Sequence, residues 1–360
     1  MNQKTNEIYQ SRFVGRFNLS LLFAKIMFNT VIKIIYSHSY RCITVNLSLA
    51  FIYPLLGLSL IVGLSSTNSL TLWMILEVNT ILFISIVYLI PGSKKTSALV
   101  KYFTIQSLRS LLFIFTRVSR AVLSRFGLTI TILALILKLG IVPLHLWYLS
   151  ILQDLNWIRI FILSTVQKLL PLFFISSLIN AYEAILVALV SRVAGIWALG
   201  VSSLKRLVGY SSLLNIGWML LSTLSASVFI QFFITYFFRI LGLINYLSYF
   251  ISEKIRDLKK FNSLNDTVTI CLLILRLRAF PPLLGFWAKL FILKLIIEFS
   301  LLLAIFLLVN TVFLIYTYIT LVDFLFTAIK RDSIRALKAI SNGGNPLVFL
   351  LLIFGGVFLF

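Results

Sequence analysis

Charged residues are scarce in this sequence, and acidic residues are the scarcest. Only 12% of the 360 residues are charged, whereas about 25% is usual for a soluble domain. Ten Asp and Glu residues stand against 32 Lys and Arg residues, and 60% of the chain is hydrophobic. This composition excludes an ordinary water-soluble protein and predicts an integral membrane protein.

Residues that bind metals or redox centres are nearly missing. The chain has two cysteines, Cys42 and Cys271, and two histidines, His38 and His145. Iron–sulfur clusters need sets of thiolates, and the sequence contains no zinc, phosphate-binding or dinucleotide-binding motif. We therefore expect no cofactor on this chain, and any redox chemistry must take place on another subunit.

The excess of basic residues gives a formal net charge of +22. Such a charge alone would suggest a nucleic-acid partner, but the sequence has no compact basic module interleaved with aromatic residues. Loops on one side of membrane proteins characteristically carry extra Lys and Arg. We therefore assign the charge to such loops, and expect the lipid bilayer as a partner and no nucleic acid.

Long apolar runs define the predicted architecture. A membrane-spanning helix needs about 20 apolar residues. The runs that qualify lie at about 47–64, 71–91, 98–116, 127–149, 158–179, 184–201, 211–229, 230–250, 267–298, 300–327 and 346–360. They predict an all-α polytopic membrane protein with about eleven transmembrane helices. The fourth and ninth runs contain Pro143 and Pro281-Pro282, which predicts two broken helices.

The chain divides into two regions of different composition. Residues 1–45 form a basic extension that is only partly apolar, and residues 46–360 form the transmembrane domain. The extension resembles a matrix-targeting presequence. An interfacial amphipathic helix and a start codon placed too far upstream are the alternatives.

Several arginines lie where a membrane protein rarely has them. Arg109, Arg276 and Arg278 fall inside apolar runs with no acidic residue close in sequence. When the predicted spans alternate in direction across the membrane, the other basic loops fall on one side. A further cluster, Arg117, Arg120 and Arg125, falls on the opposite side. Either these arginines line hydrated grooves, or the gene uses a variant genetic code in which some arginine codons specify a smaller residue.

Three lysines, Lys138, Lys168 and Lys289, lie within apolar runs and within a few residues of a proline. A lysine at the bilayer centre costs about 2.5–3.5 kcal/mol on insertion scales. Such a residue needs a cavity, a partner or a function, unless it snorkels to the interface from a helix end. Three lysines in similar settings favour an ion path through the membrane.

Glu77 is the acid that lies well inside the second run, and His145 follows Lys138 by seven residues. An acid and a lysine that pair in a low-dielectric interior can handle protons when either partner moves. A static structural ion pair is the alternative. His145 is a weaker candidate, because a lone histidine on an apolar face is more often a hydrogen-bonded core residue than a proton carrier.

Six motifs carry a resemblance to a known family. They are LEVN at 76–79, VKYFTIQS at 100–107, KLGIVPLHLW at 138–147, VQKLLP at 166–171, LKRLVGYSSLLNIGWM at 204–219 and PPLLGFWAK at 281–289. In this order the motifs resemble those of the chain 2 subunits of mitochondrial NADH:ubiquinone oxidoreductase, respiratory complex I.

The resemblance implies an antiporter-like fold of inverted repeats and a core subunit of the membrane arm in the mitochondrial inner membrane. It implies that the subunit contributes to proton translocation, while FMN, iron–sulfur clusters and ubiquinone bind to other subunits. By the same resemblance, Glu77 is the acid of an ion pair with Lys138 in the first broken helix. Lys168 is the central lysine, and Lys289 lies beside the second break.

Two other functions remain open on the sequence alone. A stand-alone cation/proton antiporter would share the fold and the same kind of lysines. A structural membrane subunit without transport could retain the ion pair.

Overall fold

The computed structural model describes residues 43–66, 68–89, 95–118, 124–178, 203–250, 264–277, 284–298 and 301–309, together with positions 185, 187, 189, 190, 311 and 318. The chain divides into two compact units, Met1–Ile179 and Asn180–Phe360. The extension at 1–45 lies almost wholly outside the described residues, as do most of the runs predicted at 184–201, 300–327 and 346–360. For these segments the sequence predictions stand as predictions.

The first unit is built from helices joined by turns. They are α1 Ile43–Ser65, α2 Ser69–Leu89, α3 Lys95–Val118, α4 Ser124–Leu139, α5 Leu146–Asp154, α6 Trp157–Ser164 and α7 Val166–Leu178. Helix α7 packs against α1, α2, α4 and α6, while α3 packs against α2, α4 and α5. Helix α7 is therefore the central helix of this unit.

Helix α2 is apolar on its exposed face as well as on most of its buried face, unlike a helix at the surface of a soluble protein. Its buried face includes Asn79 and Thr80, whereas Met74, Val78 and Ile81 are at least half exposed. Apolar side chains lose nothing by facing lipid tails, and polar side chains need partners within the protein. The exposed face of α2 is thus suited to contact with lipid.

One close approach fixes α1 against the central helix. A Cβ atom built at Gly63 of α1 would lie only 2.5 Å from Cδ2 of Leu170 in α7. Small residues at such positions allow the backbones of membrane helices to come together. A larger residue at Gly63 would require the Leu170 side chain to move.

The predicted break in the fourth run is confirmed, and it begins at a glycine. The N–H of Gly140 donates to the carbonyl of Leu137 at 3.2 Å, and the N–H of Ile141 donates to that of Ile136 at 3.2 Å. This pattern closes a helix at a residue in the left-handed conformation, and Gly140 has φ 69°. Helix α4 therefore ends at Leu139, ahead of Pro143.

The second half of the broken helix is tied to α3 at its far end. Asp154, the last residue of α5, accepts hydrogen bonds from Ser97 and Lys101 of α3 at 2.8 Å each. We call these three residues the Asp154 tie. It connects the C-terminal end of α5 to the first turns of α3.

The fifth run is not continuous, contrary to our prediction. It crosses Trp157–Leu178 as one apolar stretch, but a turn at Thr165 separates α6 from α7. The N–H of Lys168 bonds to the carbonyl of Thr165, three residues back, at 3.2 Å. Pro171 lies inside α7, so the proline next to Lys168 does not mark the interruption.

The described helices of the second unit are α8 Leu204–Ser222, α9 Ala226–Phe250, α10 Leu264–Leu277 and α11 Leu284–Ile297. Helix α9 packs against α8, α10 and α11, and α8 also packs against α11. The turn between α8 and α9 lies at 223–225, so the predicted runs 211–229 and 230–250 were divided too late. Pro281-Pro282 falls outside the described residues, and the break predicted there stays a prediction.

Helical stretches long and apolar enough to cross a membrane number five within the described residues. They are Ser48–Ser65, Ser69–Leu89, Thr96–Thr116, Trp157–Leu178 and Ala226–Ser248. The all-helical membrane architecture is thus confirmed, whereas the total of about eleven spans remains a prediction.

Candidate functional site

Glu77 on α2 and Arg109 on α3 form an ion pair inside the first unit. A nitrogen of the Arg109 guanidinium, Nη2, lies 2.5 Å from Oε1 of Glu77. Its Nε also donates to Oε1 of Gln106 at 3.2 Å. Arg109 is 1% exposed, whereas the Glu77 side chain keeps 27% of its surface accessible. The guanidinium is therefore held in the interior by two side-chain acceptors.

Lys138, in the last turn of α4, is close to this pair without joining it. Its ammonium group donates to the backbone carbonyl of Leu76 at 3.2 Å, and it lies within electrostatic range of both Arg109 and Glu77. Among the described residues, the ion pair of Glu77 is with Arg109, so Lys138 is not its direct partner as we had expected. Arg109 comes 32 residues after Glu77, so the pair could not be recognised from acidic residues close to Arg109 in the sequence.

Lys168 lies in the first turn of the central helix, directly after the interruption at Thr165. It is buried, and its Nζ lies 4.5 Å from the centre of the Tyr148 ring. Tyr148 belongs to α5, the second half of the broken helix. The candidate central lysine thus contacts the broken helix through an aromatic ring.

A chain of buried hydrogen bonds connects the start of α7 to α2 and α3. Oε1 of Gln167 accepts from the Tyr102 hydroxyl at 3.3 Å. Its Nε2 donates to the backbone carbonyl of Asn79 at 3.3 Å and to Oδ1 of Asn79 at 3.1 Å. Gln167 directly precedes Lys168, and Asn79 follows Glu77 by two residues. These hydrogen bonds therefore hold the start of α7, which carries Lys168, against the part of α2 that carries Glu77.

His145 lies in the break and precedes α5. Its Nδ1 is 3.2 Å from the carbonyl of Pro143, and its own carbonyl accepts from the N–H groups of Tyr148 and Leu149. The side chain is buried. These contacts place His145 in the structure of the break itself, and its predicted part in proton transfer stays a prediction.

Lys289 is buried in the second unit, on α11. Its Nζ lies 5.6 Å from the centre of the Trp218 ring on α8. Lys289, like Lys168, is therefore buried beside an aromatic ring. Both residues of this contact belong to the second unit.

Sequence reasoning missed the residues that contact the candidate site from other helices. Asn79, Tyr102 and Trp218 lie inside the quoted motifs and Tyr148 directly follows one of them, yet no spacing rule links these residues to a lysine. Tyr148 comes twenty residues before Lys168 in the chain. Only the packing of the helices brings these side chains together.

Comparisons with known proteins identify the family. The family described as NADH:quinone oxidoreductase/Mrp antiporter, transmembrane, matches residues 114–315. NADH-ubiquinone oxidoreductase chain 2 of Scyliorhinus canicula is 31% identical over 263 residues, which is 68% of this chain and 76% of the relative. The chain belongs to the NADH-ubiquinone oxidoreductase chain 2 family.

Two further comparisons concern a second relative and a solved structure. Chain 2 of Lumbricus terrestris is 28% identical over 287 residues, covering 76% of this chain and 86% of the relative. A chain in the structure of respiratory complex I from Thermus thermophilus aligns with a TM-score of 0.67 at 16% identity, covering 100% of this chain and 96% of that chain. At that identity the likeness shows the fold, an antiporter-like membrane domain.

The family match spans most of the candidate residues of this chain 2 family member. Lys138, His145, Lys168 and Lys289 lie inside the matched range 114–315, and Glu77 precedes it. The residues that contact the lysines come from both inside and outside that range.

Proposed function

We propose that the chain is a proton-translocating core subunit of the membrane arm of NADH:ubiquinone oxidoreductase in the mitochondrial inner membrane. Membership of the chain 2 family and the antiporter-like fold support this proposal. Proton translocation is driven by electron transfer from NADH to ubiquinone, which takes place on other subunits. Those subunits carry the FMN, iron–sulfur clusters and ubiquinone, and this chain holds no cofactor.

One observation carries the proposal. Lys168 is a buried lysine that follows an interruption of the most enclosed helical stretch of its unit. A lysine in such a position is costly in a membrane protein and marks an ion or proton pathway by default. An interrupted helix leaves backbone groups that are tolerated only beside protein or a hydrated cavity. Burial and interruption thus coincide at the same residue.

A charge cluster in the same unit as Lys168 supplies the driving element. Glu77, Arg109 and Lys138 form a charge cluster on α2, α3 and α4, all of which belong to the same unit as Lys168. A rearrangement at the break between α4 and α5 moves Lys138 relative to the Glu77–Arg109 pair. That movement changes the electrostatic potential at Lys168, and the lysine takes up or releases a proton in response.

Lys289 has the corresponding part in the second unit. It exchanges a proton with the opposite side of the membrane, while Lys168 exchanges with the first side. His145 stabilises the break through Pro143, and it contributes to proton transfer only as a secondary group.

Replacement of Lys168 tests the proposal. The variant Lys168→Met keeps the length of the apolar stem and removes the charge. In the purified whole complex, reconstituted into liposomes, we expect proton uptake per NADH oxidised to fall by at least the share carried by this subunit. A pH-sensitive dye in the vesicles and the absorbance of NADH measure the two quantities in the same sample.

The matched control is Lys294→Met, because Lys294 on α11 is exposed and takes no part in the contacts described for Lys168 and Lys289. This variant is expected to pump as the unaltered complex does. Full pumping by Lys168→Met in an intact complex would favour a purely structural subunit. Sodium-dependent proton movement by the isolated chain in liposomes would favour a stand-alone antiporter.

A further inference from the structure

We propose that Tyr148 and Trp218 are positioning residues that hold the ammonium groups of Lys168 and Lys289 over their aromatic faces. The inference rests on the proposed function and adds two residues to it. Neither residue would transfer a proton itself. Each would stabilise the charged lysine in one fixed position, so that moving the ring away promotes release of the proton.

The contact in the first unit has the geometry of a cation–π interaction. Nζ of Lys168 is 4.5 Å from the ring centre of Tyr148, well within the limit of about 6 Å for an energetically significant contact. Both side chains are buried, at 3% and 1% exposure. Water therefore screens the contact little, and the attraction is stronger than the same contact on a surface.

The ring of Tyr148 is also packed against the break. A Cβ atom built at Gly140 would lie 3.0 Å from Cβ of Tyr148, and the N–H of Tyr148 bonds to the carbonyl of His145 at 3.1 Å. A change in the backbone between Gly140 and His145 therefore displaces the ring. The same ring contacts Lys168, so the broken helix and the central lysine are physically connected through Tyr148.

The second unit repeats the arrangement with different elements. Lys289 on α11 lies 5.6 Å from the ring centre of Trp218 on α8, and these two helices pack against each other. Trp218 is buried as well. Indole is the strongest of the aromatic side chains in this kind of contact, which compensates for the longer distance.

A substitution series separates the electrostatic role from simple packing. Tyr148→Phe keeps the ring and removes the hydroxyl, whereas Tyr148→Leu keeps an apolar side chain and removes the ring. In the reconstituted complex we expect Tyr148→Phe to translocate protons at nearly the normal rate. We expect Tyr148→Leu to lower that rate roughly tenfold, in proportion to the lost cation–π stabilisation.

The background Lys168→Met makes the series specific. Once the ammonium group is gone, Tyr148→Leu should cause no further loss of proton translocation, because the ring has no cation left to hold. In the second unit, Trp218→Phe and Trp218→Leu are compared in the same way with and without Lys289→Met. The amount of assembled complex on native gels is measured for every variant.

The outcomes divide clearly. Normal pumping by both Tyr148→Phe and Tyr148→Leu would overturn the inference, because the ring would then be unnecessary. Equal losses of pumping in both variants would also overturn it, because the effect would then belong to the hydroxyl. If Tyr148→Leu does not assemble, Tyr148→Met replaces it as the variant without a ring, and the same comparison with Phe decides. Normal pumping by Lys168→Met would instead overturn the proposed function itself.

Discussion

The ion pair between Glu77 and Arg109 predicts a specific pattern of stability when either charge is removed. Across 2.5 Å, two unit charges attract by about 6–7 kcal/mol at an effective dielectric constant of about 20. The cost of burying the guanidinium offsets much of this attraction. We expect a net coupling of about 2–3 kcal/mol between the two residues.

Glu77→Gln leaves the buried guanidinium without a countercharge and should be the most damaging change. The double variant Glu77→Gln, Arg109→Leu removes both charges and should recover most of the lost stability, because a buried charge without its partner costs more than the neutral pair. The assay is a double-mutant cycle on the thermal dissociation of the purified complex. Additive effects of the two single variants, which mean a coupling near zero, would refute the pair.

Digestion with trypsin shows directly whether position 109 is an arginine in the protein. Cleavage after Lys101 and after Arg109 releases a peptide of sequence YFTIQSLR, which mass spectrometry identifies. A peptide that continues through position 109 with a smaller residue would show that the arginine codon is read differently. The pair with Glu77 could then not form, and Lys138 would become the nearest cation to the acid.

Three further predictions concern the links between helices. Gln167→Leu should lower the stability of the assembled complex by about 1–2 kcal/mol through loss of its buried hydrogen bonds, as measured by thermal dissociation. Gly140→Ala should lower the stability of the assembled complex by about 1–2 kcal/mol, because φ 69° is unfavourable for a residue with a side chain. It should also lower pumping, because the new methyl group would lie 3.0 Å from Cβ of Tyr148. Asp154→Asn should lower the stability of the assembled complex by less than about 1 kcal/mol, because the side chain of its lysine partner is 44% exposed. It should also reduce the number of protons translocated per electron, because it weakens the Asp154 tie.

Two of these variants have a control in the same chain. Gly242→Ala tests the effect of an added methyl group alone, because the nearest atom to its Cβ would be 3.6 Å away. Gln167→Glu keeps an acceptor for Tyr102 and should be less damaging to that bond than Gln167→Leu. Unchanged pumping in Gly140→Ala would show that the break does not act on Tyr148.

The architecture was predictable where local chemistry decides it. Apolar runs predicted the helical membrane class, and Pro143 predicted the break in the fourth run, although the helix itself closes earlier, at Gly140. The interruption at Thr165 was not predictable, because the run between Trp157 and Leu178 is apolar as a whole and has no glycine or proline at that position. Pro171, at which no break was predicted, is accommodated within α7.

The candidate lysines were found from the cost of burying a charge, but their neighbours were not. The pair with Arg109 and the ring of Tyr148 depend on contacts between residues far apart in the chain. An apolar environment indicates that a partner is needed without indicating which helix provides it. The chain from Asn79 through Gln167 to Tyr102 was missed for the same reason.

The Asp154 tie has a mechanical consequence for α5. A short rigid helix that is attached at one end and joined to an irregular segment at the other behaves as a lever with a fixed pivot. Residues near the pivot move least, and those near the irregular segment sweep the widest arc. Tyr148 lies six residues from Asp154 and three from His145, so it belongs to the moving arm, and we expect a longer α5 to enlarge the stroke at Lys168.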